Sequence, residues 1–210
     1  SLIILSIKKL MKKFLLLIVT GFFLTTLQAQ YSEKDVLEVK QLVSKNAAVL
    51  GLSADDLNNY VISSTYLSTE GIRMIYLYQS HKGIPVYNQM HVLAFRDGKP
   101  VSIAGGRIKG FDKMINNPAG LPSITAGQAV LSAIADAKIP ASKVAGSVQN
   151  PVTNSLGKLD FGKLGVAVED ITAELFWFPV NEKEFRLVWQ IFLAPDGSSD
   201  MWSVKVDAAT

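Results

Sequence analysis

The strongest pattern of apolar and polar positions lies in the stretch Ile72–Arg107, around which the rest of the chain is organised. It contains three segments rich in Ile, Val, Leu, Tyr and Phe, side chains that suit a pleated, half-buried surface. These strand candidates are Arg73–Tyr78, Gln89–Phe95 and Lys99–Ala104. Asp97-Gly98, between the second and third, is typical of a two-residue hairpin turn, whose central residues need a positive φ. The pattern predicts an antiparallel meander with one buried face that another element must cover.

A helical pattern precedes this meander and supplies a cover for its buried face. The apolar positions with helical spacing are Val36, Val39, Leu42, Val43, Ala47 and Leu50. Ser32 is typical of an N-cap, acidic residues follow where the helix dipole favours them, and Gly51 is placed to end the helix. A short capped turn at Ser53–Leu57 and a strand at Tyr60–Leu67 follow. Residues 32–110 therefore predict a helix followed by strands, an α+β unit.

Turn-forming residues separate this unit from a second one. Gly110–Ser123 is rich in Gly, Asn and Pro, which indicates a linker or long loop with a domain boundary between residues 115 and 122. Thr125 and Gln128 have the spacing of a capping box, so a helix is expected to begin there and to end ahead of Pro140. Its apolar face comprises Ala129, Val130, Ala133, Ile134 and Ala137.

The second half also ends in strand candidates. Ala141–Gly165 carries only weak signals and is predicted to be a surface excursion with a short ribbon. Three strands are then expected at Glu174–Val180, Phe185–Leu193 and Met201–Asp207. Since a helix followed by a meander occurs twice, the expected fold is α+β, with two cystatin-like lobes that each pack one helix on an antiparallel meander.

The N-terminal residues have the pattern of a secretory signal peptide. A cationic Met-Lys-Lys precedes the apolar run Phe14–Leu24, Ala29 is a small residue at the cleavage position, and Gln30 becomes the new N-terminus. The run is shorter than the ~20 residues of a membrane span. We therefore expect a secreted or periplasmic location without stable membrane anchoring after cleavage. The alternative is an uncleaved anchor, extended by the apolar residues Leu2–Ile7; Ser1–Leu10 is interpreted as sequence ahead of the true start.

Composition and charge exclude several classes of function. Apolar residues make up 49% of the chain and charged residues 19%, so disorder is not expected. The chain has no cysteine, which excludes a disulfide framework and thiolate chemistry. The net charge of +3 comes from four lysines of the leader, and the remainder of the chain carries −1. No basic stripe is interleaved with aromatic residues, so nucleic acid is not an expected partner.

Candidate catalytic chemistry is sparse. A zinc peptidase needs two His one helical turn apart, a third ligand and a Glu that activates water. The only histidines are His81, expected in a turn, and His91, expected on a strand. Even if they meet across a hairpin, two imidazoles without a third partner make a poor metal site. Gly-x-Ser-x-Gly is absent as well, so neither catalytic residues nor a metal or cofactor are expected in this chain.

Three other features have alternative functional interpretations. The Gly-rich Ala104–Arg107 follows a strand but lacks the ending of a phosphate loop, so a strand end or bulge is expected. Trp177, Trp189 and Trp202 lie one per strand and are interpreted as core or half-core residues, with an aromatic groove for a peptide as the alternative. Small groups of acidic residues are interpreted as solvated turn or cap residues rather than acid/base pairs. They comprise Asp55, Asp56, Glu169, Asp170 and Glu174.

Part of the first meander resembles a known family. Tyr76–Gln79, then Lys82–Tyr87, an apolar strand and Asp97–Val101 are similar to the fungalysin/thermolysin-type propeptide domain. That family has a strand ending in Gln, a turn, Gly-Ile-x-Val plus an aromatic, and a strand–turn–strand with Asp-Gly. The matching residues here are Gln79, Gly83, Ile84, Val86, Asp97 and Gly98. Met74 stands where the family often has a His, so the role of that His is absent or reassigned.

Part of the second meander resembles another family. Leu175–Val180, Leu187–Trp189 and the segment from Trp202 are similar to a PepSY-type domain, which closes with an aromatic strand and Val-Asp-Ala-x-x-Gly. Trp189 and Asp207 belong to the matching residues. The chain stops where the closing Gly would come next, so the resemblance implies a domain truncated at its C-terminus. The expected divisions are residues 1–29 for upstream residues and leader, 30–115 for the propeptide-type domain and 123–210 for the PepSY-like domain.

This order of segments is similar to the prosegment of secreted fungalysin-family zinc metallopeptidases. The resemblance implies a non-catalytic fragment that inhibits a catalytic domain lying beyond Thr210, its partner in cis, and assists its folding. The zinc would belong to that domain. Exposed edge strands would dock on it, and Ala141–Gly165 is a candidate region for activating cleavage.

Two alternatives remain open. One is a free-standing secreted PepSY-type module that binds or inhibits peptidases in trans, and the other is a small enzyme with an unfamiliar site. A reading frame that continues into a His-Glu-x-x-His helix would favour the prosegment, whereas a stop codon after Thr210 would favour the free-standing module. A peptidase assay with added zinc tests the enzyme, and we expect no activity.

Overall fold

Helix and meander occur twice along the chain, in the order that the sequence predicts. The structure is a computed structural model that describes residues 32–209. The helices are α1 Glu33–Lys45, α2 Ala47–Leu50, α3 Ala54–Asn58 and α4 Ala126–Asp136. The strands are β1 Tyr60–Leu67, β2 Arg73–His81, β3 Ile84–Arg96, β4 Lys99–Gly105, β5 Val152–Thr153, β6 Leu159–Asp160, β7 Thr172–Asn181, β8 Glu184–Leu193 and β9 Trp202–Asp207. The α+β class is confirmed. The predicted leader, with its cleavage position at Ala29 and Gln30, lies outside the described residues.

The nine strands of the described residues form one mixed sheet with two antiparallel parts. β1, β2, β3 and β4 pair in that order in the first part, and β5, β6, β7, β8 and β9 in the second. The parts join where Val86 of β3 pairs in parallel with Trp177 of β7. A second parallel bridge joins Ile115 to Phe185. The described residues 32–209 thereby belong to one compact unit.

β3 serves both parts of the sheet because it is long and bent. The sequence predicts its start at Gln89, but the strand begins at Ile84, so the predicted start is wrong. Asn88 has a φ of 57°, and the β2–β3 register shifts between Tyr78 and Ser80. The kink directs the first residues of β3 toward β7, a distant pairing that the local pattern does not reveal.

Each part of the sheet packs one face against helices. The smaller core joins α1 and α2 to β2 and β3, and its buried residues are Val39, Val43, Leu50, Ile75, Leu77, Leu93 and Phe95. The larger core joins α4 to β7 and β8, and its fully buried centre includes Ala129, Val130, Ala133, Trp177, Leu187, Ile191 and Leu193. The apolar faces predicted for both helices therefore lie against the meanders, because burial of these faces is the main favourable term.

The segment Gly110–Ser123 is a long loop that packs into the larger core. Phe111, in a short 3-10 turn, and Ile115 are both buried there. The backbone N–H of Asn116 donates to the Phe185 carbonyl at 3.1 Å. The loop is thus held at the side of β8, a contact that its turn-rich composition does not predict.

Two predicted helix starts are confirmed by reciprocal capping. The Ser32 hydroxyl accepts a hydrogen bond from the Asp35 backbone N–H, and the Asp35 carboxylate accepts one from the Ser32 backbone. Thr125 and Gln128 make the same exchange at the start of α4. Each pair satisfies two backbone donors that a helix start otherwise leaves without partners.

The first helix does not run unbroken to Leu50. α1 ends before Asn46, whose side-chain amide donates to the carbonyl oxygens of Leu42 and Gly98 at 2.8 and 3.1 Å. An asparagine side chain that bonds to the backbone competes with the hydrogen bonds of the helix. The apolar positions predicted for one helix are therefore divided between α1 and α2. Gly51 then ends α2 with a φ of 66°, as predicted.

The weakly patterned Ala141–Gly165 contains the expected ribbon, formed by β5 and β6. The last strand begins at Trp202, one residue after the predicted start. Between residues 32 and 209, no helix is both long enough and apolar enough to span a membrane.

Candidate functional site

The start of β3 and the middle of β7 form a junction that brings the two resembling segments together. Val86 pairs with Trp177, and the indole N–H of Trp177 donates to the His81 carbonyl oxygen at 3.2 Å. The His81 and Trp177 rings meet edge to face, with centroids 5.8 Å apart. Tyr87 lies against Phe178, with ring centroids 5.0 Å apart. The sequence predicts a strand around Trp177 but none at Val86, so the tertiary structure decides that the two segments pair.

Two motif glycines belong to tight hairpin turns. Lys82 and Gly83 connect β2 to β3 with φ values of 54° and 76°, and Asp97 and Gly98 connect β3 to β4 with φ values of 50° and 74°. Positive φ at both central residues is the requirement of the hairpin turn predicted for Asp97-Gly98, which is confirmed. The prediction that His81 lies in a turn is wrong, because the tight turn begins one residue later and leaves His81 at the end of β2.

Gln79 makes a two-point contact with the loop that follows β4. Its side-chain amide donates to the Ile108 carbonyl oxygen at 2.9 Å, and its side-chain oxygen accepts from the Ile108 backbone N–H at 2.8 Å. A glutamine amide can replace a neighbouring strand in this way, because it offers one donor and one acceptor to the backbone. Gln79 lies between Tyr78 and Ser80, where the β2–β3 register shifts. The motif Gln therefore fastens the loop to the end of β2.

Replacing Gln79 with leucine is expected to lower the free energy of unfolding by about 2 kcal/mol, because two backbone groups of Ile108 lose their partners. Urea denaturation of residues 30–210 measures the change. Gln89→Leu is the matched control, since the half-buried Gln89 side chain has no hydrogen bond within residues 32–209, and a change below about 0.5 kcal/mol is expected. Equal losses in the two variants would contradict a specific role for the Gln79 amide.

A polar cleft of about 690 Å³ opens beside this loop. Its walls come from α3, the β2–β3 turn and the loop after β4. The charged and amide residues that line it are Asp55, Asp56, Asn58, Asn59, Gln79, Lys82, Arg107, Lys109 and Asp112. The motif residues Gln79 and Gly83 thus lie at the junction and in the cleft wall.

The charges of the cleft are only partly neutralised within the chain. Arg107 pairs with Asp56 at 2.8 Å, and about four-fifths of each side chain is buried. Asp56 also accepts the Ser53 backbone N–H at 2.7 Å, at the start of α3. Lys82 and Lys109 have no ion pair within the part of the chain that the structure describes. Both lysines are exposed, so the cleft presents their ammonium groups to solvent.

The sequence does not reveal Arg107 and Lys82 as cleft residues. Arg107 was predicted at the end of a Gly-rich segment, and no local spacing relates it to Asp56 in α3. The capped turn predicted at Ser53–Leu57 was a sequence signal for this wall of the cleft, because a capping box holds the Asp56 carboxylate at the start of the helix.

The two histidines occupy separate environments. His91 pairs with Leu77 in the β2–β3 register, whereas His81 bonds through Nε2 to the Pro118 carbonyl oxygen at 3.0 Å. They do not meet across the hairpin. Burial lowers the pKa of His91, and the positive charge of Arg107 lowers it further. Among residues 32–209 no group of three or more His, Cys, Asp or Glu side chains is placed to hold a metal ion.

Acidification from about pH 7 to pH 5 is expected to destabilise the protein partly through His91. The folded state lowers the pKa of His91 below its ordinary value of 6.5, so the unfolded chain binds the proton more readily. The stabilising contribution of the neutral His91 is therefore complete above the pKa that His91 has in the unfolded chain. It is lost as the pH falls through the pKa that His91 has in the folded state. We expect His91→Gln to flatten the dependence of unfolding free energy on pH, measured by urea denaturation at several pH values. An unchanged slope would contradict this effect.

The acidic groups form ion pairs or face solvent. Glu174 pairs with Lys158 at 2.6 Å, and Asp207, a residue of the PepSY-like motif, pairs with Arg186 at 3.3 Å. The exposed members are Asp55, Glu169 and Asp170. Both arrangements agree with the interpretation of these carboxylates as structural or solvated groups.

The three tryptophans do not share one environment. Trp177 is fully buried, and Trp189 is buried with its indole N–H donating to the Ile124 carbonyl oxygen at 3.0 Å. The core interpretation is confirmed for these two. It is wrong for Trp202, which is 40% exposed on the edge strand β9. Edge position explains the difference, because β9 pairs only with β8 among the described strands.

No family model matches the sequence, and no curated protein matches it.

Proposed function

We propose that this chain is the non-catalytic prosegment of a secreted fungalysin-type zinc metallopeptidase. It inhibits the catalytic domain that follows in cis and assists the folding of that domain. The zinc belongs to the catalytic domain. The leader is cleaved between Ala29 and Gln30 on export, and residues 30–115 and 123–210 correspond to the propeptide-type and PepSY-like domains.

The observation that carries this proposal is the meeting of the two motif-bearing segments. Val86 belongs to the propeptide-type motif, and Trp177 belongs to the PepSY-like segment; they are paired residues of one sheet. The Trp177 N–H bond to the His81 carbonyl adds a second tie. A buried joint of this kind fixes the two segments relative to each other, as a module that covers a broad surface requires.

Each part of the sheet, with its helix, is proposed as one cystatin-like lobe. The first lobe comprises α1, α2 and β1–β4, and the second comprises α4 and β7–β9. Two lobes held in fixed geometry lose little conformational entropy on docking. A standard interface of about 800 Å² per partner is enough to close an active-site cleft to substrate.

Inhibition in trans tests this function. Residues 30–210 are mixed with a separately produced fungalysin-type catalytic domain, and hydrolysis of a peptide substrate is followed as the prosegment concentration rises. We expect saturable inhibition and a higher yield of active enzyme when the catalytic domain is refolded with the prosegment present. A serine peptidase assayed in parallel is the control and is expected to keep its activity. Failure to inhibit, together with an unchanged refolding yield, would overturn the proposal.

A further inference from the structure

The hairpin of β5 and β6 is attached to the rest of the described chain by few bonds. Each of its strands has two residues, and β5 pairs only with β6 among the described strands. The residues before it, 146–151, make no backbone–backbone hydrogen bond within the part of the chain that the structure describes. A segment with few backbone bonds and few buried contacts opens locally at a low cost in free energy. The hairpin and the segment leading to it can therefore leave the fold while the sheet stays intact.

The turn of this hairpin presents a large apolar side chain to solvent. Leu156 is 67% exposed and lies between the two strands. The backbone N–H of Asn154 donates to the Lys158 carbonyl oxygen, and that of Gly157 donates to the Asn154 carbonyl oxygen, both at 2.9 Å. The Asn154 side chain accepts the Leu156 backbone N–H at 3.0 Å. Opening the turn thus breaks backbone bonds of the hairpin alone, and no residue of the larger core has to move.

Other large apolar side chains that are exposed outside helices and strands are held more firmly. Among the described residues these are Leu121, Val168 and Met201. The Leu121 carbonyl oxygen accepts a hydrogen bond from the Asn117 side-chain amide at 2.7 Å. The Val168 backbone N–H donates to the Ala194 carbonyl oxygen at 2.9 Å. Met201 directly precedes β9, which pairs along its whole length with β8. Leu156 is the member of this group whose neighbours on both sides belong to a turn.

This combination is what a peptidase requires of a folded substrate. The bond to be cut must leave the fold and enter the cleft of the enzyme, so cleavage follows local opening. Clefts that bind ligands are lined mostly by apolar side chains. Leu156 offers a side chain for such a cleft. Its neighbours Ser155 and Gly157 are small and exposed, as is usual at loop tips that are nicked by peptidases.

The place of the hairpin along the chain decides what a cut there produces. The hairpin lies between α4 and β7, so a cut leaves α4 on one fragment and β7–β9 on the other. The two fragments stay packed through the larger core, to which α4 contributes Ala129, Val130 and Ala133. Lys158 keeps its ion pair with Glu174 at 2.6 Å. A cut at the turn therefore removes the covalent connection within the second half without removing a buried side chain.

We propose that Leu156 is the point at which a fungalysin-type catalytic domain first cuts this prosegment. Water is added across one peptide bond of Leu156, the C–N bond breaks, and the new chain ends carry a carboxylate and an ammonium group. This inference rests on the proposed function. It narrows the predicted cleavage region Ala141–Gly165 to one residue of one turn.

Limited proteolysis of residues 30–210 tests the inference. A separately produced fungalysin-type catalytic domain is added in molar excess, so that uninhibited enzyme is present, and mass spectrometry identifies the first fragments. We expect the first cut on either side of Leu156. Leu156→Asp is expected to slow this cut about tenfold or more, because a carboxylate enters an apolar pocket only at a high cost.

The matched control makes the same chemical change within the same hairpin. Val152 is 72% exposed on β5, outside the turn. Val152→Asp is expected to be cut at Leu156 at least as fast as the wild type, because the substitution leaves the Leu156 side chain in place. Urea denaturation verifies that both variants fold.

The possible results separate this inference from the proposed function. A first cut at Leu156 that Leu156→Asp suppresses and Val152→Asp retains supports the inference. A first cut elsewhere, such as at Met201, a wild type that resists cutting, or a Leu156 variant cut in the turn as fast as the wild type would overturn it. Inhibition in trans is measured independently, so the prosegment function stands in each of these cases if the wild type inhibits. A cut at Leu156 without inhibition in trans would support the cleavage site and overturn the inhibitory function.

Discussion

Replacing Trp177 with alanine is expected to lower the free energy of unfolding by about 3–5 kcal/mol. Trp177 is fully buried, so truncation removes a large apolar area and leaves a cavity beside Phe111, whose ring centroid lies 6.2 Å away. It also leaves the His81 carbonyl oxygen without its indole donor. The loss falls where Val86 pairs with β7, so the joint between the two parts of the sheet is weakened directly.

Urea denaturation of residues 30–210, followed by far-ultraviolet circular dichroism, measures this effect. Trp202→Ala is the control, because Trp202 is 40% exposed on the edge strand β9; a loss below about 1 kcal/mol is expected. If the two parts of the sheet depend on this joint, the Trp177 variant also shows a broader transition than the wild type. A Trp177 variant as stable as the Trp202 variant would contradict the structural role of the junction.

Replacing Gly105 with alanine is expected to cost about 3 kcal/mol or more. Gly105 ends β4 with a φ of 88°, a conformation that costs an L-residue with a side chain about 1–2 kcal/mol. A Cβ at this position would overlap the backbone carbonyl oxygen of Met90. Because that oxygen belongs to the central strand β3, relief requires a backbone shift, and overpacking of this kind typically costs about 1–3 kcal/mol.

The neighbouring glycine provides a matched control for this prediction. Gly106 has no positive φ, and apart from its two chain neighbours no described residue has an atom within 4 Å of a Cβ built there. Gly106→Ala is therefore expected to change the free energy of unfolding by less than about 0.5 kcal/mol. Thermal and urea denaturation of both variants compare two identical chemical changes one residue apart. Equal stabilities would show that β4 does not approach β3 as closely as the structure indicates.

These variants also test the proposed inhibition of a catalytic domain. Trp177 lies on the helix side of β7, while the neighbouring Phe178 lies on the opposite face of the strand. A Trp177 variant that remains folded but inhibits less would indicate that the arrangement of the two parts matters for inhibition, because Trp177 itself is fully buried. A Gly106 variant, altered away from the junction, is expected to inhibit like the wild type.

Local features of the sequence were sufficient for much of the fold. The reciprocal caps at Ser32 and Thr125 depend on residues three positions apart, and the Asp97-Gly98 turn depends on two adjacent residues. The helix faces follow from spacings of three and four. Such features are decided by a few neighbouring residues, so the sequence pattern predicts them without knowledge of the remaining chain.

The candidate site was much less predictable. The motif placed Gln79 at the end of a strand but did not reveal its bonds to Ile108, and no local pattern relates Arg107 to Asp56. The outward position of Tyr76 and Tyr78 was also hidden, because these residues fit a half-buried strand equally well on either face. Each of these contacts joins residues that are far apart in sequence, and many alternative partners satisfy the same local pattern.

The sequence by itself determined the order of the elements, the caps, the hairpin turn and the helix faces that become buried. Only the tertiary structure decided that β3 bends to reach β7, that the two motif-bearing segments share one joint, and that aromatic side chains such as Tyr76 and Tyr78 lie opposite the helices. The physical reason is the range of the interactions. Backbone propensity and hydrogen bonding act within a few residues, whereas the choice of a distant partner depends on the packing of the whole chain.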